Sequence, residues 1–237
     1  MPLPLITLVL SMTSTLGAAP SPELSVSYEQ PGSSRAEQAR KLLKDSGALE
    51  TGIRLPAPVK VVARDCDAAE PPGATWDHAE RRITICYQLV DHARRVLDGI
   101  SETEESDTGT SSARVEAALS VLFHHELGHA LTTLNGLPDS DAQADQFAAL
   151  TLPADAPERV VAAAEARHLL AGHTGIEGLP GPDESATFSC LLYGADPGKY
   201  RRIAKGGWVP PERAPSCTDE YNRVRSAIGS MAVKAGT

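Results

Sequence analysis

The apolar positions of this chain change their period several times, and each change marks an element. Ala36, Ala39, Leu42 and Leu43 fall on one face of a helix over residues 36–43. Val59-Lys60-Val61-Val62-Ala63 is rich in β-branched residues and reads as a strand, with Pro58 tolerable at its start. After the turn at Pro71-Pro72-Gly73, Ile83 and Ile85 alternate with Arg82, Thr84 and Cys86, as in a strand covered on one face. The period then becomes helical, with Leu89, Val90, Ala93, Val96, Leu97 and Ile100 on one stripe. Residues 101–112 hold only Ser, Thr, Glu, Asp and Gly and read as a solvated loop.

From Ala113 a longer helical pattern runs through Val115, Ala118, Leu119, Leu122, His125, Glu126 and His129. It should stop near Asn135-Gly136, where glycine can adopt positive φ and Pro138 forbids continuation. Ser140-Asp141-Ala142-Gln143 has the form of a capping box, so the next helix runs from about Asp141 through Leu150 to Pro153. Ala162, Ala166, Leu169 and Leu170 predict another helix, Gly172 to Gly181 a glycine-rich loop, and Cys217 to Met231 a terminal helix. Strands confined to the first half and helices filling the second predict an α+β fold, a small sheet followed by a mainly helical remainder.

Chemistry enters at His125-Glu126-Leu127-Gly128-His129, which has the form H-E-x-x-H. Residues four apart on a helix share a face, so the two imidazoles can hold one Zn²⁺. Glu126 stands off that row and can take a proton from a water in an open coordination position. His124 lies about 100° round the helix from His125 and reads as a packing or supporting residue. Asp141 and Asp145 share a face of the next helix. The economical reading makes Asp141 the third ligand and Asp145 the acceptor of a ligand imidazole N–H. The reverse, Asp145 on the metal, stays open, as does a bland role for Asp141 as a favourable charge in a first helical turn.

The chain of 237 residues is long enough for one substantial domain, and its net charge of −9 disfavours nucleic acid or an anionic membrane surface as partner. It has no run of 18 or more apolar residues. Its start, a short apolar segment to Leu10, then Ser11 to Leu16 and the small residues Gly17-Ala18-Ala19, reads as a signal peptide over residues 1–19, although no Lys or Arg precedes the apolar segment. Residues 20–34 then read as a linker, and residues 35–237 as a single domain. Four cysteines without C-x-x-C spacing suit two disulfides in a secreted or periplasmic protein, and the sequence alone allows three pairings.

The segment from His125 to His129, followed by Asp141-x-x-x-Asp145-Gln146-Phe147-Ala148-Ala149-Leu150-x-x-Pro153, resembles the gluzincin arrangement. Roughly Cys66 to Tyr221 resembles a family of exported bacterial proteins described as putative metallopeptidases, a domain of unknown function. Its further marks are Trp76-Asp77, Ile83-x-Ile85-Cys86-Tyr87, Cys190-Leu191-Leu192-Tyr193-Gly194-Ala195-Asp196-Pro197, and Pro211-x-Arg213-Ala214-x-x-Cys217-x-x-Glu220-Tyr221. The resemblance implies a zincin-like domain that hydrolyses peptide bonds with Zn²⁺, acts on a peptide or protein substrate, and pairs Cys66 with Cys86 and Cys190 with Cys217. In such peptidases an edge strand binds the substrate backbone, and residues 82–86 are expected to be that shelf.

Two departures stand out. The family usually has Glu where this chain has Asp141, so either the helix moves closer or Asp145 takes over. It also tends to carry Asp-Glu-His where this chain has Asp183-Glu184-Ser185, which leaves Tyr193, His168 or His173 to polarise a substrate carbonyl. This second departure points to the alternative reading, a catalytically degenerate, zinc-stabilised binding protein.

Overall fold

The computed structural model describes residues 24–53, 55–67, 73–101, 111–152, 156–171 and 181–232. The proposed signal peptide, His173, and nearly all of the expected loops at 101–112 and 172–181 lie outside these residues. The fold is α+β: a four-stranded sheet followed by a mainly helical remainder.

The sheet is built from β1 (Leu24–Tyr28), β2 (Val59–Arg64), β3 (Ala74–Asp77) and β4 (Arg82–Cys86), in the order β1-β2-β4-β3. β1, β2 and β4 run parallel, and β3 returns antiparallel along the outer side of β4. Helix α1 (Ser34–Asp45) makes the crossover from β1 to β2 and is capped by Ser33, whose hydroxyl accepts from the Ala36 N–H. Val59, Val61 and Ala63 of β2 face the core while Lys60 points outward, the alternation its sequence carries.

Two expectations change here. The stretch read as linker, residues 20–34, contains β1 and the first residue of α1. Leu24, Val26 and Tyr28 alternate with Ser25 and Ser27, and the strand gains its ladder from β2 rather than from its own hydrophobicity. The strand over residues 82–86 is not the edge. β2 lies along one side of it and β3 along the other, so its backbone groups are taken. The free edge beside the helices belongs to β3.

Helix α2 (Tyr87–Ser101) follows β4 without a loop. Helix α3 (Ser111–Leu134) is the long central element and starts two residues earlier than its apolar pattern suggests. Val115, Leu119, Phe123, Leu127 and Leu131 pack with the sheet, α1 and α2. Ala117 and Val121 face a second cluster built with α4 (Asp141–Thr151), α5 (Pro157–Leu170), α6 (Pro182–Ala195) and α7 (Arg201–Lys205). A helix buried on nearly all sides holds its side chains in fixed positions, which suits a site that needs two imidazoles in register.

α3 ends as its sequence requires, with Gly136 at φ 66° and its N–H bonded to Thr133 O. Ser140 caps α4, its hydroxyl accepting from the Gln143 N–H at 3.3 Å. Disulfides join Cys66 to Cys86, at the ends of β2 and β4, and Cys190 on α6 to Cys217 at the start of α8 (Cys217–Ala232). α6 and α8 approach so closely there that Gly194 has no room for a Cβ against Cys217 O.

Candidate metal centre

His125 and His129 project from one face of α3, one turn apart, toward the N-terminus of α4. Their Nε2 atoms lie 3.1 Å apart. Oδ1 of Asp141, the first residue of α4, stands 3.4 Å from His129 Nε2 and 3.9 Å from His125 Nε2. A tetrahedral ion with bonds of 2.0–2.1 Å separates its ligand atoms by about 3.3 Å, so this triangle has the size such an ion needs. The three residues grade from buried to exposed, His125, His129, then Asp141, whose side chain is 81 % exposed. One side of the triangle is therefore open to solvent.

The other ring nitrogens decide which atoms face the triangle. His125 Nδ1 lies 2.7 Å from Asp145 Oδ1, and His129 Nδ1 lies 2.8 Å from Asp139 Oδ1. An ionised carboxylate only accepts, so each Nδ1 carries the proton and donates it. Both Nε2 atoms then present lone pairs to each other and to the Asp141 carboxylate. Three electron-rich groups converging at this spacing repel unless a cation stands between them. Among the described residues, His125, His129 and Asp141 are the acidic or histidine group that can jointly hold a metal ion.

Asp145 is placed on the far side of His125 from the triangle. Its Oδ1 is bonded to Nδ1, and its Oδ2 accepts from Arg167 Nη2 on α5. Asp145 could reach the Nε2 side only by giving up both bonds. Asp141 thus faces the two Nε2 atoms, while Asp145 lies behind the His125 imidazole.

Glu126 is 5 % exposed and sits next to His125 on α3. Burial pushes its carboxyl above the ordinary carboxylate range and Asp141 adds to this, while His125, His129 and the backbone N–H of Trp76 pull the other way. Cys86 N–H donates to Gly73 O, which fixes the ladder parity: Thr75 and Asp77 bond to β4, and the backbone groups of Ala74 and Trp76 point away from it. The Trp76 indole N–H also donates to Thr133 Oγ1 on α3 at 2.9 Å, locking β3 against the helix that carries the site.

His124 faces the core, its Nδ1 2.8 Å from Ser120 O and its ring edge-on to Phe123. His168 is exposed on α5, and Tyr193 packs against the second core cluster. Ser185 is fully buried and its hydroxyl has no partner.

A family model described as putative metallopeptidase matches residues 28–178 and 181–230. The chain belongs to that family. No curated protein and no solved structure matches the chain. In a chain of this putative metallopeptidase family, His125, His129 and Asp141 form a candidate metal site.

Sequence reasoning missed Asp139 and Arg167, and took Trp76 only as a mark of the family resemblance. Asp139 lies in the connection between α3 and α4, where nothing in the sequence ranks one acid over another. Trp76 belongs to a strand of four residues, too short for a clear alternation. Arg167 did carry a signal: it shares a helical face with Ala163 and Leu170, and a charge on an apolar stripe requires a buried partner.

Proposed function

We propose that this protein is an exported, zinc-dependent peptidase. The observation that carries the reading is the convergence of two imidazole lone pairs and one carboxylate oxygen within a triangle of 3.1, 3.4 and 3.9 Å. Two nitrogens and one oxygen with a side left open to solvent suit Zn²⁺ at a catalytic rather than a closed structural site. His125, His129 and Asp141 would hold it, and the ion supplies Lewis acidity to a water and to the carbonyl under attack. Glu126 accepts the proton of that water at its carboxylate and returns it to the leaving amine. The free edge of β3 offers an extended peptide its backbone partners. Two disulfides fit an oxidising compartment, and no described helix is long and apolar enough to cross a membrane.

Glu126→Gln tests the mechanism. The variant should keep its metal and lose about 10²–10⁴-fold in turnover of a cleaved peptide. Unchanged turnover would sink the assignment of Glu126.

A zinc-stabilised binding protein without turnover is the second reading. It draws on Ser185, whose buried hydroxyl stands where relatives tend to carry a histidine. Cleavage of a peptide library, lost with a chelator and restored by zinc, separates the two.

A further inference from the structure

The two imidazoles of the site are held by different devices. Asp139, behind His129, is 36 % exposed and meets solvent. Asp145, behind His125, is buried and shares its two oxygens between the imidazole N–H and the guanidinium of Arg167. Arg167 is itself 5 % exposed, comes from α5, and stacks over the Phe188 ring of α6 with 4.7 Å between Cζ and the centroid. Its Nε has no partner, so the cation is committed to Asp145, with Glu184 a further acidic neighbour.

From this geometry we infer that Arg167 is a positioning residue for the metal site: through Asp145 it sets the orientation and donor strength of His125. The inference rests on the zinc reading above. A carboxylate held at one oxygen can swing about its Cβ–Cγ bond. Held at both, it has one plane, and the N–H it accepts fixes the plane of the imidazole. Phe188 covers the face of the guanidinium, so no solvent competes for the clamp. A buried ion pair that merely joins α4 to α5 would have the same contacts but would leave metal affinity untouched in a folded protein. That difference makes the two roles separable.

The test uses the full chain with its disulfides intact and zinc alone as probe. Zinc affinity is measured by competition with a chromogenic chelator, beside the melting temperature of the metal-free protein. Arg167→Met should weaken zinc binding about 10–100-fold. In an Asp145→Asn background the same substitution should cost nothing further, because the cation acts only through that carboxylate. Arg167→Lys, which offers one donor instead of a planar fork, should restore part of the affinity. If Arg167→Met does not fold, Arg167→Lys in both backgrounds carries the same cycle, with a loss expected where Asp145 is kept and none where Asp145→Asn is already present. Unchanged affinity in a folded variant, or an equal loss in both backgrounds, overturns the role of Arg167 alone. Absence of a zinc site sensitive to His125→Ala in the unsubstituted chain overturns the zinc reading and this inference together.

Discussion

Gly128 of α3 lies so close to Ala144 of α4 that a Cβ placed on it would stand 2.7 Å from the Ala144 Cα and 3.0 Å from its carbonyl oxygen. An aspartate is one methylene shorter than the glutamate that the family resemblance leads one to expect at its position, and the close approach at Gly128 holds α4 against the helix that carries both imidazoles. Gly128→Ala should therefore do more than fill space. Overpacking against backbone costs about 1–3 kcal/mol, of which the better helix propensity of alanine offsets about 1 kcal/mol. The larger effect should be on the metal, since any retreat of α4 withdraws Asp141. A melting curve and a zinc titration check both, and undiminished zinc affinity would show that the close approach does not set the site.

On the proposed zinc reading Asp141 offers the opposite case, a ligand that contributes little to the fold. Its side chain is 81 % exposed and stands in the first turn of α4. Asp141→Ala should strip zinc affinity while the metal-free protein melts within the range of an ordinary surface substitution, about ±0.5 kcal/mol. Retention of full zinc affinity would remove Asp141 from the ligand set and reopen the part played by Asp145.

How much of this was legible in the sequence follows from how local each feature is. The H-E-x-x-H spacing fixes two side chains on one helical face whatever surrounds the helix, so His125 and His129 could be paired from the chain alone. The acidic pair could be found but not ordered, because both residues share a face of α4. Only the packing against α3 shows that one points to Nε2 and the other to Nδ1. Strand neighbours are not local at all. Ile83 and Ile85 announce a strand, yet nothing in residues 82–86 says that β3 will cover their outer edge, so the free edge falls to Ala74–Asp77 instead. β1 was hidden by its composition: two serines among five residues, supported by a distant partner that begins at Val59.

The disulfides invite a separate test, because they staple different halves. Cys66–Cys86 closes a loop of sequence separation 20 at the sheet, and Cys190–Cys217 one of 27 at the helical end. Each should contribute about 3 kcal/mol by restricting the unfolded chain. Neither cysteine pair touches the triangle, so a Cys190→Ala/Cys217→Ala protein should melt lower but bind zinc with unchanged stoichiometry below its transition. Loss of zinc binding in a variant still folded by circular dichroism would tie the α6–α8 staple to the site.

His124 gives the fold a pH dependence of its own. Burial lowers its pKa below the ordinary 6.5, and the bond from its Nδ1–H to Ser120 O offsets that only in part. The folded chain therefore binds fewer protons at this position than the unfolded chain. By linkage, the stability tied to a neutral His124 is fully present above pH 6.5 and is lost as pH falls from there toward the lowered folded value. Melting temperatures of the metal-free protein between pH 8 and about pH 5 should decline on the acid side. The decline should be shallower in His124→Gln, which keeps a donor for Ser120 O but cannot be charged. Working without metal removes the separate effect of proton competition at His125 and His129, and the difference between the two chains isolates the His124 imidazole. Parallel curves for the two proteins would place the acid sensitivity elsewhere.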